Sequence, residues 1–98
     1  MAKESKESIE KAVQAAADAF ARVESAEEMR RFFNEILTPG ERRTISLRWR
    51  LMERLRDGAT QRGVARELGI SLCKITRGVK ILKDESSVTV RLLADSGE

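Results

Sequence analysis

The sequence predicts an all-α chain of about six helices organised around a helix-turn-helix. Three observations carry that expectation. Apolar residues recur at helical spacing through most of the chain, Ser and Thr stand at successive helix starts, and Gly58 and Gly69 stand where helices should stop. No second stretch is available to pair with the one segment that reads as a strand.

The elements follow in order. Ile9, Ala12, Val13, Ala16, Phe20 and Val23 recur at i, i+3, i+4, i+7 spacing, which predicts a long amphipathic first helix. Ser25-Ala26-Glu27-Glu28 is a capping box, a hydroxyl followed three residues later by a carboxylate, and opens a second helix whose apolar residues are Met29, Phe32, Phe33, Ile36 and Leu37. Thr38-Pro39-Gly40-Glu41 is a stronger start signal, because Pro39 has the fixed φ wanted at a first helical position. The third helix runs from there to about Asp57, with Ile45, Trp49, Met52 and Leu55 as its expected buried stripe and Gly58 as its stop. Thr60 caps a fourth helix ending near Leu68, and Ser71 caps a fifth from Leu72 to about Leu82. Asp84 to Ser87 reads as a loop. The six residues Val88-Thr89-Val90-Arg91-Leu92-Leu93 fit a strand or a last helix over about 86–94, and the lack of another strand favours the helix.

Composition narrows the function. Ninety-eight residues suit one domain over 1–98, and a chain this short buries only about 60–65% of its unfolded surface, so a partner subunit would add core it lacks. The hydrophobic fraction of 41% excludes a wholly disordered chain. Cys73 is the one cysteine and histidine is absent, which excludes an internal disulfide and leaves no metal-ligand cluster. The same scarcity, with no convergent carboxylates, argues against an enzyme. No apolar run approaches the roughly 18 residues of a membrane span, and residues 1–20 are charged throughout with no secretory signal, so the cytoplasm is the expected location.

Charge is unevenly distributed. Residues 1–37 carry 6 basic and 8 acidic side chains, residues 38–83 carry 12 and 4, and residues 84–98 carry 1 and 4. The net +8 of the middle segment is what a polyanion-binding surface looks like in sequence; a merely solvated charged face is the bland alternative.

Residues 60–81 carry the motif. Val64, Leu68, Ile70 and Ile75 are apolar, Ala65 is small where two helices would cross, and Gly69 can take positive φ at the corner. The second helix keeps Leu72, Cys73, Lys74, Thr76, Arg77 and Lys80 for its outer face. A helix presented in this way fits a major groove, where residues of its first turns reach base edges.

Five strings, Leu37-Thr38-Pro39-Gly40-Glu41-Arg42, Arg48-Trp49-Arg50, Thr60-Gln61-Arg62, Glu67-Leu68-Gly69 and Ile75-Thr76-Arg77-Gly78, resemble the tryptophan repressor family in order and spacing over about residues 34–83, with one residue missing near Gly58. The resemblance implies six helices in an intertwined homodimer, with residues 1–37 as dimerisation helices. It also implies a transcriptional repressor that binds a palindromic double-stranded DNA operator, with L-tryptophan as corepressor. Half-sites about one helical turn apart would follow, a geometry for which this family is itself a known example.

By the same resemblance, Arg48 and Arg77 match the arginines on the two faces of the indole, Arg77 also meeting the carboxylate. Thr38 matches the threonine beside that carboxylate, and Gly78 the glycine that leaves room for the ring. Guanidinium planes stack on aromatic rings and fork onto carboxylates. The chain departs from the pattern at Ile81, where the family has a serine near the ligand ammonium, at Val79-Lys80, and at Glu35, whose carboxylate either meets the ammonium or closes the pocket to indole. The bland alternative has both arginines on phosphates or glutamates. For DNA, Gln61 and Arg62 match contacts at the start of the first motif helix, with Arg62 suited to bidentate guanine reading. Leu72, Cys73, Lys74 and Thr76 fill the recognition positions, Lys74 and Arg66 being suited to phosphates. Cys73 reads as a small residue close to bases or as a redox switch, and Trp49 as core or dimer interface. Two other functions compete: a ligand-independent DNA binder, including a module resembling the promoter-reading end of sigma factors, and a protein-interaction adaptor that leaves DNA alone.

Overall fold

A computed structural model of the chain describes residues 5–96. Residues 1–4, which open the expected dimerisation segment, and residues 97–98 lie outside the described residues. The elements are α1 (Lys6–Ala21), α2 (Ala26–Ile36), α3 (Pro39–Arg56), α4 (Gln61–Leu68), α5 (Leu72–Leu82) and α6 (Val88–Ser96), with no strand among the described residues. The all-α, six-helix expectation holds. The chain divides into two compact units, Met1–Pro39 and Gly40–Glu98.

In the first unit, each helix starts on a serine. The Ser5 hydroxyl accepts from the Ser8 N–H at 3.0 Å and opens α1. Ser25 accepts from the Glu28 N–H at 3.1 Å, and the Glu28 carboxylate accepts from the Glu24 N–H at 2.7 Å, one residue before the amide a capping box usually engages. Phe20 meets Phe32 edge to face at 5.3 Å between ring centroids and Phe33 at 6.0 Å. No residue of α1 or α2 is buried, and Ile9, Val13 and Ile36 stand exposed.

The second unit has a core. Leu51 of α3, Val64 of α4 and Ile75 of α5 are buried together, and Leu55, Ala59, Ala65, Leu68, Ile70 and Val79 close around them. Both glycine stops are realised by the same backbone device. Gly58 at φ +93° donates to the Leu55 carbonyl while Ala59 donates to that of Arg54, and Gly69 at φ +64° and Ile70 both donate to that of Ala65. These are left-handed C-caps that satisfy carbonyls a helix end would otherwise leave open. The segment 88–93 is helical because the Ser87 hydroxyl accepts from the Val90 N–H at 3.2 Å and Leu93 is buried. The Arg56 guanidinium donates to the Leu93 carbonyl at 2.9 Å and so fastens the end of α3 to α6.

The buried face of α3 differs from the expected stripe. Leu51 and Met52 are buried and Leu55 half-buried, whereas Trp49 is half-buried and Ile45 is 43% exposed. The core is built on the last two turns of α3, where α4 and α5 come back against it, and Ile45 lies upstream of that contact.

Candidate nucleic-acid interface and ligand cleft

The angle between α4 and α5 is set by a three-residue turn, Gly69-Ile70-Ser71. Gly69 supplies the positive φ, Ile70 inserts into the core, and the Ser71 hydroxyl faces the Lys74 N–H at 3.5 Å to start α5. At the other end, the Thr60 hydroxyl accepts from the Gly63 N–H at 3.0 Å. A Cβ at residue 63 would lie 2.8 Å from that hydroxyl oxygen, so glycine there keeps the cap intact. With Val64 and Ile75 buried, the outward positions follow from helical periodicity. Gln61, Arg62 and Arg66 on α4, and Leu72, Cys73, Lys74, Thr76, Arg77 and Lys80 on α5, are all exposed.

This outer face is cationic. Helices α4 and α5 carry Arg62, Arg66, Lys74, Arg77 and Lys80 against the single acid Glu67. The Glu67 carboxylate is held by the Arg54 guanidinium at 2.9 Å, which ties α4 to α3. Among the described residues none of those five cations is in an ion pair, so their charge is unneutralised. Cys73 is a free, exposed thiol.

On the second unit a cleft of about 120 Å³ opens between α3, α5 and α6. Its floor is apolar, made by Leu51, Met52, Gly78 and Ile81, and its polar rim is Arg48, Lys74, Arg77 and Thr89. Arg48 and Arg77, far apart in sequence, therefore share one cavity wall. Gly78 is also where α5 closes on α3, because a Cβ there would lie 3.1 Å from Leu55 Cδ1 and from Met52 Sδ. Thr38 and Glu35 belong to the first unit and are not among the lining residues. The volume is below the roughly 300–1,000 Å³ of sites that enclose a drug-sized ligand, so the cleft by itself would not enclose one. A second cleft of about 140 Å³ shares Arg48 and Lys74 and adds Arg43, Thr44 and Gly69.

Lys74 and Thr89 are cleft residues that the sequence did not mark. Lys74 read as a phosphate contact, and Thr89 lay in the segment whose helix could not be told from a strand.

The model of the Trp repressor protein family matches residues 11–95. The chain belongs to the Trp repressor protein family. The comparison with curated proteins and the comparison with solved structures each gave no match. The family is one of DNA-binding transcriptional repressors that take tryptophan as corepressor, and its members are regulators, not enzymes.

Tested against tryptophan, the cleft fits part of the molecule. The apolar floor and two guanidinium groups suit a flat aromatic ring, and three cations suit a carboxylate. The ammonium group finds no carboxylate in the lining, and Ile81 offers no acceptor side chain. No group of His, Cys, Asp or Glu among the described residues is arranged to hold a metal ion, and no helix there is long and apolar enough to cross a membrane.

Proposed function

We propose that the protein is a homodimeric, sequence-specific transcriptional repressor of the cytoplasm, and that an aromatic ligand of the tryptophan kind raises its affinity for a palindromic operator. The observation that carries the DNA half is the outer face of α4 and α5, where Arg62, Arg66, Lys74, Arg77 and Lys80, none in an ion pair among the described residues, stand exposed beside Gln61 and the first turns of α5. In this reading α5 enters the major groove with Leu72, Cys73 and Thr76 toward base edges. Arg62 forks onto a guanine, and Lys74 and Arg66 neutralise phosphates, adding affinity without sequence information. The ligand half rests on Arg48 and Arg77 sharing the cleft. A ring held between a guanidinium of α3 and one of α5, with Gly78 leaving room for the ring, would fix the pose of the recognition helix against the rest of the unit. Two such helices, fixed in a dimer, would then meet successive major grooves together.

The test is an anisotropy titration of the full chain on a palindromic duplex, at one salt concentration, with and without saturating L-tryptophan. Affinity should rise at least about 5-fold, the lower end of ordinary allosteric coupling. Unchanged affinity would remove ligand control and leave a ligand-independent repressor. Failure to bind any duplex at low salt would remove the repressor itself and favour an adaptor role.

A further inference from the structure

We propose that the cleft between α3 and the turn joining α4 to α5 is a seat for a DNA backbone phosphate, and that Arg43 of α3 holds the phosphate there. The proposal rests on the reading of the outer face of α4 and α5 as a DNA surface. The cleft, of about 140 Å³, brings Arg43 and Arg48 of α3 together with Lys74 from the first turn of α5, with Leu47 and Ile70 as the apolar part of the lining. No carboxylate lines it. None stands at pairing distance along a helix either, because the residues three and four positions from Arg43, Arg48 and Lys74 include no Asp or Glu. Elsewhere in the unit cations do find acids: Arg54 meets Glu67, Arg56 meets Asp57 and Arg91 meets Asp95, whereas among the described residues none of these three is in an ion pair. Three like charges lining one small space repel one another, and an oxyanion brought among them relieves that repulsion while accepting from two guanidinium groups and an ammonium. The Thr44 hydroxyl already donates to the Gly40 carbonyl at 3.0 Å, so the cations are the donors.

The position points to DNA as the source of the phosphate. A helix seated in the major groove with its first turn at the base edges has the bordering phosphates beside that turn, where Lys74 stands. All three cations are exposed, which suits a polymer passing over them better than a small anion that must be enclosed. Arg43 thereby brings α3, which lies outside the two motif helices, onto the DNA backbone. It is also the cation that belongs to this cleft alone, since Arg48 and Lys74 line the cleft between α3, α5 and α6 as well.

Anisotropy titrations of the full chain on a palindromic duplex and on an unrelated one, over a range of salt, test the seat with Arg43→Gln and Arg43→Lys, both checked for retained helicity. Arg43→Gln should weaken both duplexes alike, by about 5-fold, the upper end for an exposed charge pair, and lower the salt slope by about one. Arg43→Lys should keep the slope. Methylphosphonate linkages, which remove one phosphate charge at a time, should reveal one position in each half-site that weakens the wild type and leaves Arg43→Gln unaffected. If the wild type binds and Arg43→Gln matches it in affinity and slope, the seat is overturned and the DNA face stands. If the wild type binds no duplex at low salt, the DNA reading fails and the seat with it. Inorganic phosphate that raises the melting temperature of the wild type but not of Arg43→Gln at matched ionic strength, with the DNA slopes equal, would make this a small-anion site and overturn the assignment to DNA.

Discussion

The two units handle their apolar residues differently. In Gly40–Glu98, Leu51, Val64, Ile75 and Leu93 are at most 2% exposed, and every helix contributes to that core or fastens onto it. Among the described residues of the first unit, Phe20 clusters with Phe32 and Phe33, and neither helix has a fully buried residue. Ile9 at 49%, Val13 at 61% and Ile36 at 57% exposure lie along helices with a well-formed apolar stripe. A helical pair of this size with no fully buried residue gains little from folding alone. The contrast teaches that the second unit is held by its own core, whereas the first unit leaves its apolar stripes exposed. The proposed homodimer gives that surface its use.

The largest expected effect tests the self-sufficiency of the second unit. Ile75→Ala empties the centre of the core under α5 and should cost about 2–5 kcal/mol in urea unfolding at fixed protein concentration. Val13→Ala in the first unit should instead make unfolding more dependent on protein concentration. An equal, concentration-independent loss at both sites would break the contrast. Next, Arg62→Ala should weaken operator binding by about 1–3 kcal/mol and relax selection at one base position. Arg66→Ala should weaken all sequences alike and lower the salt slope by about one. Gly69→Ala isolates the backbone cost of the turn. Nothing lies within 4 Å of the added Cβ, so the penalty is that of a left-handed alanine, about 1–2 kcal/mol, without a clash. The smallest effect concerns the loop before α6. Asp84 accepts from the Ser86 hydroxyl and from its N–H, and these bonds hold its carboxyl below the usual aspartate range. A lowered folded pKa means the stabilisation is present above the unfolded value and lost as pH falls through the folded one. An NMR titration should find the Asp84 midpoint below that of an unstructured aspartate, and Ser86→Ala should raise it.

Much of this was legible from sequence because it is local. The serine and threonine caps, the left-handed glycines and the three-residue turn each depend on residues within one or two turns, and the structure has them where the spacing places them. The buried face of α3 was half legible: Met52 and Leu55 of the expected stripe are covered, but Ile45 is exposed and Leu51, outside that stripe, is buried. Which residues are covered depends on where α4 and α5 return. The segment 88–93 was ambiguous for a related reason. Its β-branched residues suit a strand, and it is helical through a cap at Ser87 and a buried Leu93. The cleft was half legible: the resemblance pointed to Arg48 and Arg77, but Lys74 and Thr89 join them through the approach of α5 and α6, which no local spacing encodes.

The central claim is that the outer face of α4 and α5 reads DNA as a pair. It is tested most directly by selecting duplexes from a random-sequence pool with the full chain and repeating the selection with Arg62→Ala. The expected result is a palindrome with half-sites about one helical turn apart, whose outer positions lose definition in the variant. Enrichment of no sequence, or the same palindrome from both proteins, would contradict the assignment of that face.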